Sequence, residues 1–290
     1  MNVAWLGEPA AHEPALVGGK AASLSRLAAE YPVPPGFALT STALTEAARA
    51  LAAGVVPHGL RAELDAAYTA LGGGRVAVRS SAADEDGDAH SFAGQHETFL
   101  NVEGVEAVAE AVVLCFASAF TSRARDYRRQ VGLPLDHISL AVLVQSQVPA
   151  DSAAVVFSAN PVTGNLDEVL INVSYGLGES IVGGTTTPDT FVVRKRDLEI
   201  VSRTIGEKRL MTVPVPGGTR EIETPALLRG RRCVMDDVIG DMARLAIQLD
   251  AATGAPVDLE CAVHAGNLYL LQARPITTLQ PTSRFGREIA

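Results

Sequence analysis

The sequence predicts an α+β fold in two lobes, and three features carry that expectation. Up to about residue 131 the apolar positions fall mostly at helical spacing, interrupted by brief alternating runs. From Ile138 onward the texture changes to short strands, followed by one long helical stretch and a hairpin. The chain has 290 residues, 47% of them hydrophobic, enough for two domains or one large two-lobed unit. The lobes are expected at 1–140 and 141–280, with 281–290 as a tail or linker.

The elements follow in order. The Gly18-Gly19 turn leads into a helix expected over 21–31, with Leu24, Leu27 and Ala28 on one face. "VPPGFALT" (33–40) reads as a proline-stiffened entry into a strand. Two helical patterns follow at 42–53 and 59–71, and three glycines end the second. Val76 and Val78 then alternate with Ala77 and Arg79 as a strand, and 82–95 is polar and loop-like. A helix over 104–131 turns Val108, Val112, Leu114, Cys115 and Phe116 toward a core, its basic "RARDYRR" end complementing the helix C-terminus. Strands are expected in "ISLAVLVQSQV", "AAVVFSAN", "EVLINVSYG", "DTFVVRK" and "LEIVSRTI", then a helix over 225–252.

The last element, "VDLECAVHAGNLYLLQAR" (257–274), is a hairpin with an unusual polar face. Side chains alternate along a strand, so Val257, Leu259, Cys261 and Val263 share one face while Asp258 and Glu260 take the other. A three-residue loop of Ala265, Gly266 and Asn267, with a bulge at Gly266 or Asn267, pairs His264 with Leu268. That register sets Glu260 opposite Gln272 and Asp258 opposite Arg274. From the hairpin alone, a solvated face with a cross-strand salt bridge is an equal reading.

Composition narrows the partners. A net charge of -9 argues against nucleic acid or an anionic membrane as the main partner, so an anionic ligand must be met locally. Cys115, Cys233 and Cys261 lack metal-like spacing and sit in apolar patterns, as reduced core residues do. No leader-like N-terminus or long uncharged apolar run occurs, and a cytoplasmic location is expected.

Two stretches carry chemistry. "VGGKAAS" puts glycines before a helix and Lys20 at its start, a setting for an anion, although Pro14 and Ala21 break the P-loop pattern. Taken alone it reads first as a plain turn and a surface lysine. In "VRSSAADEDGDAHSFAGQHETF", Arg79 ends an apolar strand where a charge has little structural use, and a loop with Gly87 and Gly94 follows. His90 and His96 fit hydrogen-bonding or surface roles better than ligation. The glycines of "SYGLGESIVGGTTTPD" do not match a dinucleotide fingerprint.

Together with "VPPGFALT", "NVSYGLGESIV…TPDTFVV", "RTIGEKR" and "PVDLECA…LYLLQARPIT", these motifs occur in the order and spacing of one family. From about residue 15 to 278 the chain resembles the N-terminal nucleotide-binding domain of phosphoenolpyruvate synthase, pyruvate phosphate dikinase and rifampin phosphotransferase. The resemblance implies an ATP-grasp-type two-lobed fold with ATP and Mg²⁺ between the lobes. It makes Lys20 and Arg79 triphosphate ligands, places Gly94 and Thr98 in a phosphate-covering loop, and makes the segment from Gln145 to Val148 an adenine hinge. It assigns Asp258, Glu260 and Gln272 to magnesium and nucleotide, and Arg274 to phosphate. Lys20, Arg79 and Arg274 would be the catalytic cations, whereas Lys208 fits the pattern without a clear role.

Some residues depart from the family. Ala154 stands where a glycine is common, Ser158 ends that strand, and Ser146 and Gln147 replace the usual residues after Gln145, which leaves the adenine contacts open. The family's phosphohistidine motif and phosphoenolpyruvate barrel do not occur in these residues. The expected activity is phosphoryl or pyrophosphoryl transfer from ATP to a histidine on a separate protein or domain, or directly to a small acceptor. The rival expectations are an ATP-grasp ligase making an acyl phosphate and a nucleotide binder without turnover.

Overall fold

The computed structural model describes residues 1–83, 97–130 and 139–276. Its first half comprises β1 (Val3–Trp5), α1 (Pro14–Leu27), β2 (Gly36–Leu39), α2 (Ser41–Ala52), α3 (His58–Ala70), β3 (Val76–Ala82), β4 (Thr98–Val102), α4 (Val105–Ser118), α5 (Ser122–Gln130) and β5 (Leu140–Ser146). The second comprises β6 (Ser152–Phe157), β7 (Glu168–Tyr175), α6 (Glu179–Val182), β8 (Asp189–Arg194), β9 (Ile200–Thr204), β10 (Leu210–Val215), β11 (Gly218–Glu223), α7 (Ala226–Arg229), α8 (Asp236–Thr253), β12 (Val257–His264) and β13 (Asn267–Pro275).

The strands form two principal antiparallel sheets, as the α+β two-lobed expectation requires. One has the order β1-β2-β5-β3-β4 and the other β13-β12-β6-β7-β8-β9, while β10 and β11 make a separate hairpin. Because β5 is the middle strand of the first sheet, the chain crosses to the second between Ser146 and Ser152. Residue 140, the expected boundary, is the first residue of that central strand. Among the described residues no helix is long and apolar enough to cross a membrane.

Each sheet has its own core. Leu44, Leu51, Leu64, Val112 and Phe116 from α2, α3 and α4 pack on Phe37, Val78 and Val142 of the first sheet. On α8, Val238, Ile239, Met242, Leu245, Ala246 and Leu249 recur at helical spacing and cover one face of the second sheet, including Ile171, Leu259 and Cys261. Val17, Ala21 and Leu24 of α1 join this second core although α1 also packs on β3 and β5. The helix thereby ties the two sheets together. None of the three cysteines is in a disulfide among the described residues; Cys115 and Cys261 are buried and Cys233 is partly so.

Several expected elements differ. α1 starts at Pro14 and ends at Leu27, kinking at Gly18. The single helix expected over 104–131 is two, because Thr121 accepts a hydrogen bond from the Ala124 N–H and starts a new helix. The helix expected over 225–252 begins properly at Asp236, since the Cys233 N–H is held by Asp189 Oδ2 at 2.9 Å on β8. Strands β1, β4, β10 and β11 were not expected. Pro214 and Pro216 disguised the β10–β11 pair, which tolerates them outside both main sheets.

The closing hairpin reaches the expected pairing by another route. Ala265 and Gly266, with φ of 49° and 79°, form a two-residue turn that pairs His264 with Asn267, in place of the expected three-residue loop. That turn alone would leave the polar residues out of register. A bulge between Glu260 and Cys261 inserts Leu271 as the extra residue, and beyond it Glu260 faces Gln272 and Asp258 faces Arg274. Leu270 and Ala273 consequently both enter the core.

Candidate functional site

A cavity of about 550 Å³ lies between the two sheets, a size that suits a nucleotide-sized ligand. Lys20, Arg79, Glu260, Gln272 and Arg274 bring charge and hydrogen-bonding groups to it. Ala153 and Ala154 of β6, Val148, Leu177 and Ile181 supply an apolar lining.

Lys20 owes its position to a backbone approach. Gly18 has φ of 79°, and a Cβ there would lie 2.1 Å from the Ser81 carbonyl oxygen, so any side chain would drive α1 off β3. The Ser81 hydroxyl also accepts from the Ala21 N–H at 3.1 Å. With the helix seated, Lys20 Nζ donates to the Ser80 carbonyl at 3.4 Å, and the residue is only 6% exposed. A buried lysine at a cavity wall has a use that the surface lysine of the plain reading lacks.

Arg79 points across to the second sheet. It lies within β3 rather than at its end, and its Nη1 donates to the carbonyl of Leu271 at 3.1 Å. Leu271 is the bulge residue, so the irregularity that restores the hairpin register also presents the oxygen that holds Arg79. Thr98 is the first residue of β4, paired with Arg79 and lining the cavity, and so belongs to a strand. Gly94, His90 and His96 lie outside the described residues.

On the polar hairpin face, Asp258 takes Arg274 as its partner. Arg274 Nε and Nη2 both reach Asp258 Oδ2, at 2.8 and 2.7 Å, while Asp258 Oδ1 is buried with no hydrogen-bond partner among the described residues. Burial pushes the Asp258 carboxyl above its usual range, against the opposing pull of Arg274 and with help from the Glu260 charge. Glu260, Gln272 and Arg274 line the cavity; Asp258 stands behind them in the same row. Among the described residues no group of three or more His, Cys, Asp or Glu side chains could hold a metal alone. The oxygen donors present, one orphaned and buried, suit a hard cation that takes its remaining ligands from elsewhere.

Gln145 and Val148 line the cavity, but the Gln145 side chain is spent inside the fold, its Nε2 donating to the Pro34 carbonyl at 3.0 Å. Lys208 does not line the cavity. It is fully buried against Asp189, also donates to the Gly206 carbonyl at 2.8 Å, and lies 5.8 Å from the centre of the Tyr175 ring. A Cβ at Gly206 would be 2.2 Å from the Thr187 carbonyl oxygen, so "RTIGEKR" and "TPD" are two sides of one packed junction. Burial there, aided by the Cys233 thiol and Asp189, pushes the Tyr175 hydroxyl up to about 12. Glu97 and Glu179 also line the cavity and were missed as site residues. For Glu179 the available signal was its place in "GLGES", directly after a strand.

Residues 42–285 match the family profile described as the pyruvate phosphate dikinase AMP/ATP-binding domain. The chain belongs to this family. Relatives of this dikinase-type ATP-binding domain include a probable phosphoenolpyruvate synthase of Methanocaldococcus jannaschii, 37% identical over 96% of the chain and 27% of the relative. An uncharacterized phosphotransferase, YvkC, of Bacillus subtilis is 35% identical over 94% of the chain and 35% of its own length. The prodigiosin synthesizing transferase PigC of Serratia marcescens is 37% identical over 92% of the chain and 32% of its own length. The dikinase-type domain thus spans roughly a quarter to a third of these curated relatives.

Proposed function

We propose that this domain is the ATP-activating part of a phosphotransferase, which passes a phosphoryl or pyrophosphoryl group to a histidine on a separate protein or domain, or to a small acceptor. The observation that carries the reading is the convergence of Lys20, Arg79 and Arg274 on one cavity with Glu260 and Gln272. Phosphoryl transfer asks little covalent chemistry of the protein; it asks for positioning and for cations where charge develops. In this reading Lys20 and Arg79 reach the triphosphate from the first sheet and Arg274 from the second. Thr98 and Gly94 cover the phosphates, and the stretch from Gln145 to Val148 borders the base. Asp258, Glu260 and Gln272 would hold Mg²⁺, which when bound neutralises phosphate charge.

The relatives' names support this reading, since they include phosphoenolpyruvate synthases and a phosphotransferase. Arg274 has two duties in it. Its guanidinium opposes the effect of burial on Asp258, and the residue also lines the cavity.

The test is phosphorus NMR of the chain with ATP and Mg²⁺, with and without extract of its source cells, using Glu260→Gln as control. Formation of AMP and phosphate, or a new phosphorus resonance, is expected for the native chain. The variant should be slower by at least about a hundredfold. ATP that binds yet stays intact in every mixture would remove the transferase reading, and turnover to ADP and phosphate only with a carboxylate and an amine would replace it with a ligase.

A further inference from the structure

Asn101 on β4 is buried, with 4% of its surface exposed, and has φ of 58°, a left-handed conformation that asparagine tolerates better than most residues. Its side-chain amide donates to two carbonyls of the β10–β11 hairpin, Val215 at 2.7 Å and Gly218 at 2.8 Å, the pair that flanks the turn. Its backbone N–H donates to Gln147 Oε1 at 3.3 Å, and Gln147 Nε2 donates in turn to the Val148 carbonyl at 3.2 Å. Gln147 and Val148 line the cavity, as does Leu100 beside Asn101.

The far end of the hairpin is fixed as well. The Thr212 carbonyl of β10 accepts from the Leu177 N–H at 2.9 Å, next to the α6 wall of the cavity. A Cβ at Gly176 would lie 2.2 Å from that oxygen, so the contact is close-packed backbone on backbone. The hairpin is therefore a strut. One end holds the α6 wall that belongs to the second sheet, and the other holds β4 and the 145–148 segment that belong to the first.

We infer that Asn101 and Gln147 are positioning residues that set the base end of the nucleotide cavity through this strut. The inference rests on the nucleotide-binding reading above and deepens it by assigning the base-end geometry to side chains that do not touch phosphate. Gln147 answers the question raised by its replacing the usual residue of the hinge: both ends of its amide are spent holding that segment in place. Asparagine is required at 101 because two carbonyls converge on it. An aspartate of the same shape would present acceptors to acceptors and release the hairpin turn.

Calorimetric titration of ATP and of inorganic tripolyphosphate into the native chain, Asn101→Asp and Gln147→Leu tests this. Both variants should lose about tenfold in ATP affinity, while tripolyphosphate, which meets only the cations, should stay within about twofold. Preference for ATP over GTP should shrink in parallel. Parallel loss of ATP and tripolyphosphate, or unchanged ATP affinity in Gln147→Leu, would overturn the inference. Gln147→Leu leaves the hairpin bonds intact and so serves even where Asn101→Asp folds poorly. A native chain that binds neither ligand would instead bring down the nucleotide reading on which this rests.

Discussion

Asp258 shows how one residue can be costly to the fold and suited to the site. One carboxylate oxygen is held by Arg274, and the other is buried without a hydrogen-bond partner among the described residues. Burial raises its pKa above the ordinary 3.8 despite the arginine, so the native state favours the protonated form more than the unfolded chain does. For a raised pKa, the stabilising contribution is complete below the unfolded value and is lost as pH rises through the folded one. Asp258→Asn imitates the protonated form. Its stability relative to the native chain should therefore improve as pH climbs from about 4 toward neutrality. Urea melts across that range would check it, and the opposite trend would show that the Arg274 pair outweighs burial.

At the scale of elements, the polar face of β12 and β13 was legible because strand alternation alone puts Asp258 with Glu260 and Gln272 with Arg274. How the two rows come to face each other was not legible. The turn is shorter by one residue than expected and the bulge at Leu271 restores the count, two local features that cancel in the pairing. Neither has a signature in the hydrophobic pattern, yet the bulge carbonyl is what holds Arg79. The strut was hidden by its prolines, and Asn101 by lying just beyond a motif whose glycines drew attention to phosphate. The turn itself supplies a prediction. Ala265 occupies a left-handed position where asparagine is the preferred residue, and its N–H, donated to Asp151 Oδ2 at 2.7 Å, survives any substitution except proline. Ala265→Asn should stabilise the chain by about 0.5–1 kcal/mol in urea melts without altering ATP affinity. A loss of stability would mean that the new amide competes for Asp151.

Across the whole molecule, one buried polar cluster that supports the fold lies apart from the cavity lining. Lys208 and Asp189 are both fully buried, and Asp189 also accepts from the Gly206 N–H at 3.0 Å and the Cys233 N–H at 2.9 Å. This cluster ties β8, the loop before β10 and the entry to α8 into one unit, on residues outside the cavity lining. Lys208→Met would leave Asp189 a buried charge without its cation, at a cost of about 3–5 kcal/mol. A ligand bound between the sheets adds stability through mass action, about 2.7 kcal/mol at a concentration one hundred times its Kd. The two effects should add, because no residue of the Lys208 cluster lines the cavity. Urea melts of the native chain and Lys208→Met, each with and without ATP, should therefore show a lowered baseline and an undiminished gain from ATP. A gain that vanishes with Lys208 would mean that the junction of "RTIGEKR" with "TPD" reaches the cavity, and the path available to it is β10, whose Thr212 carbonyl meets Leu177 at the cavity wall.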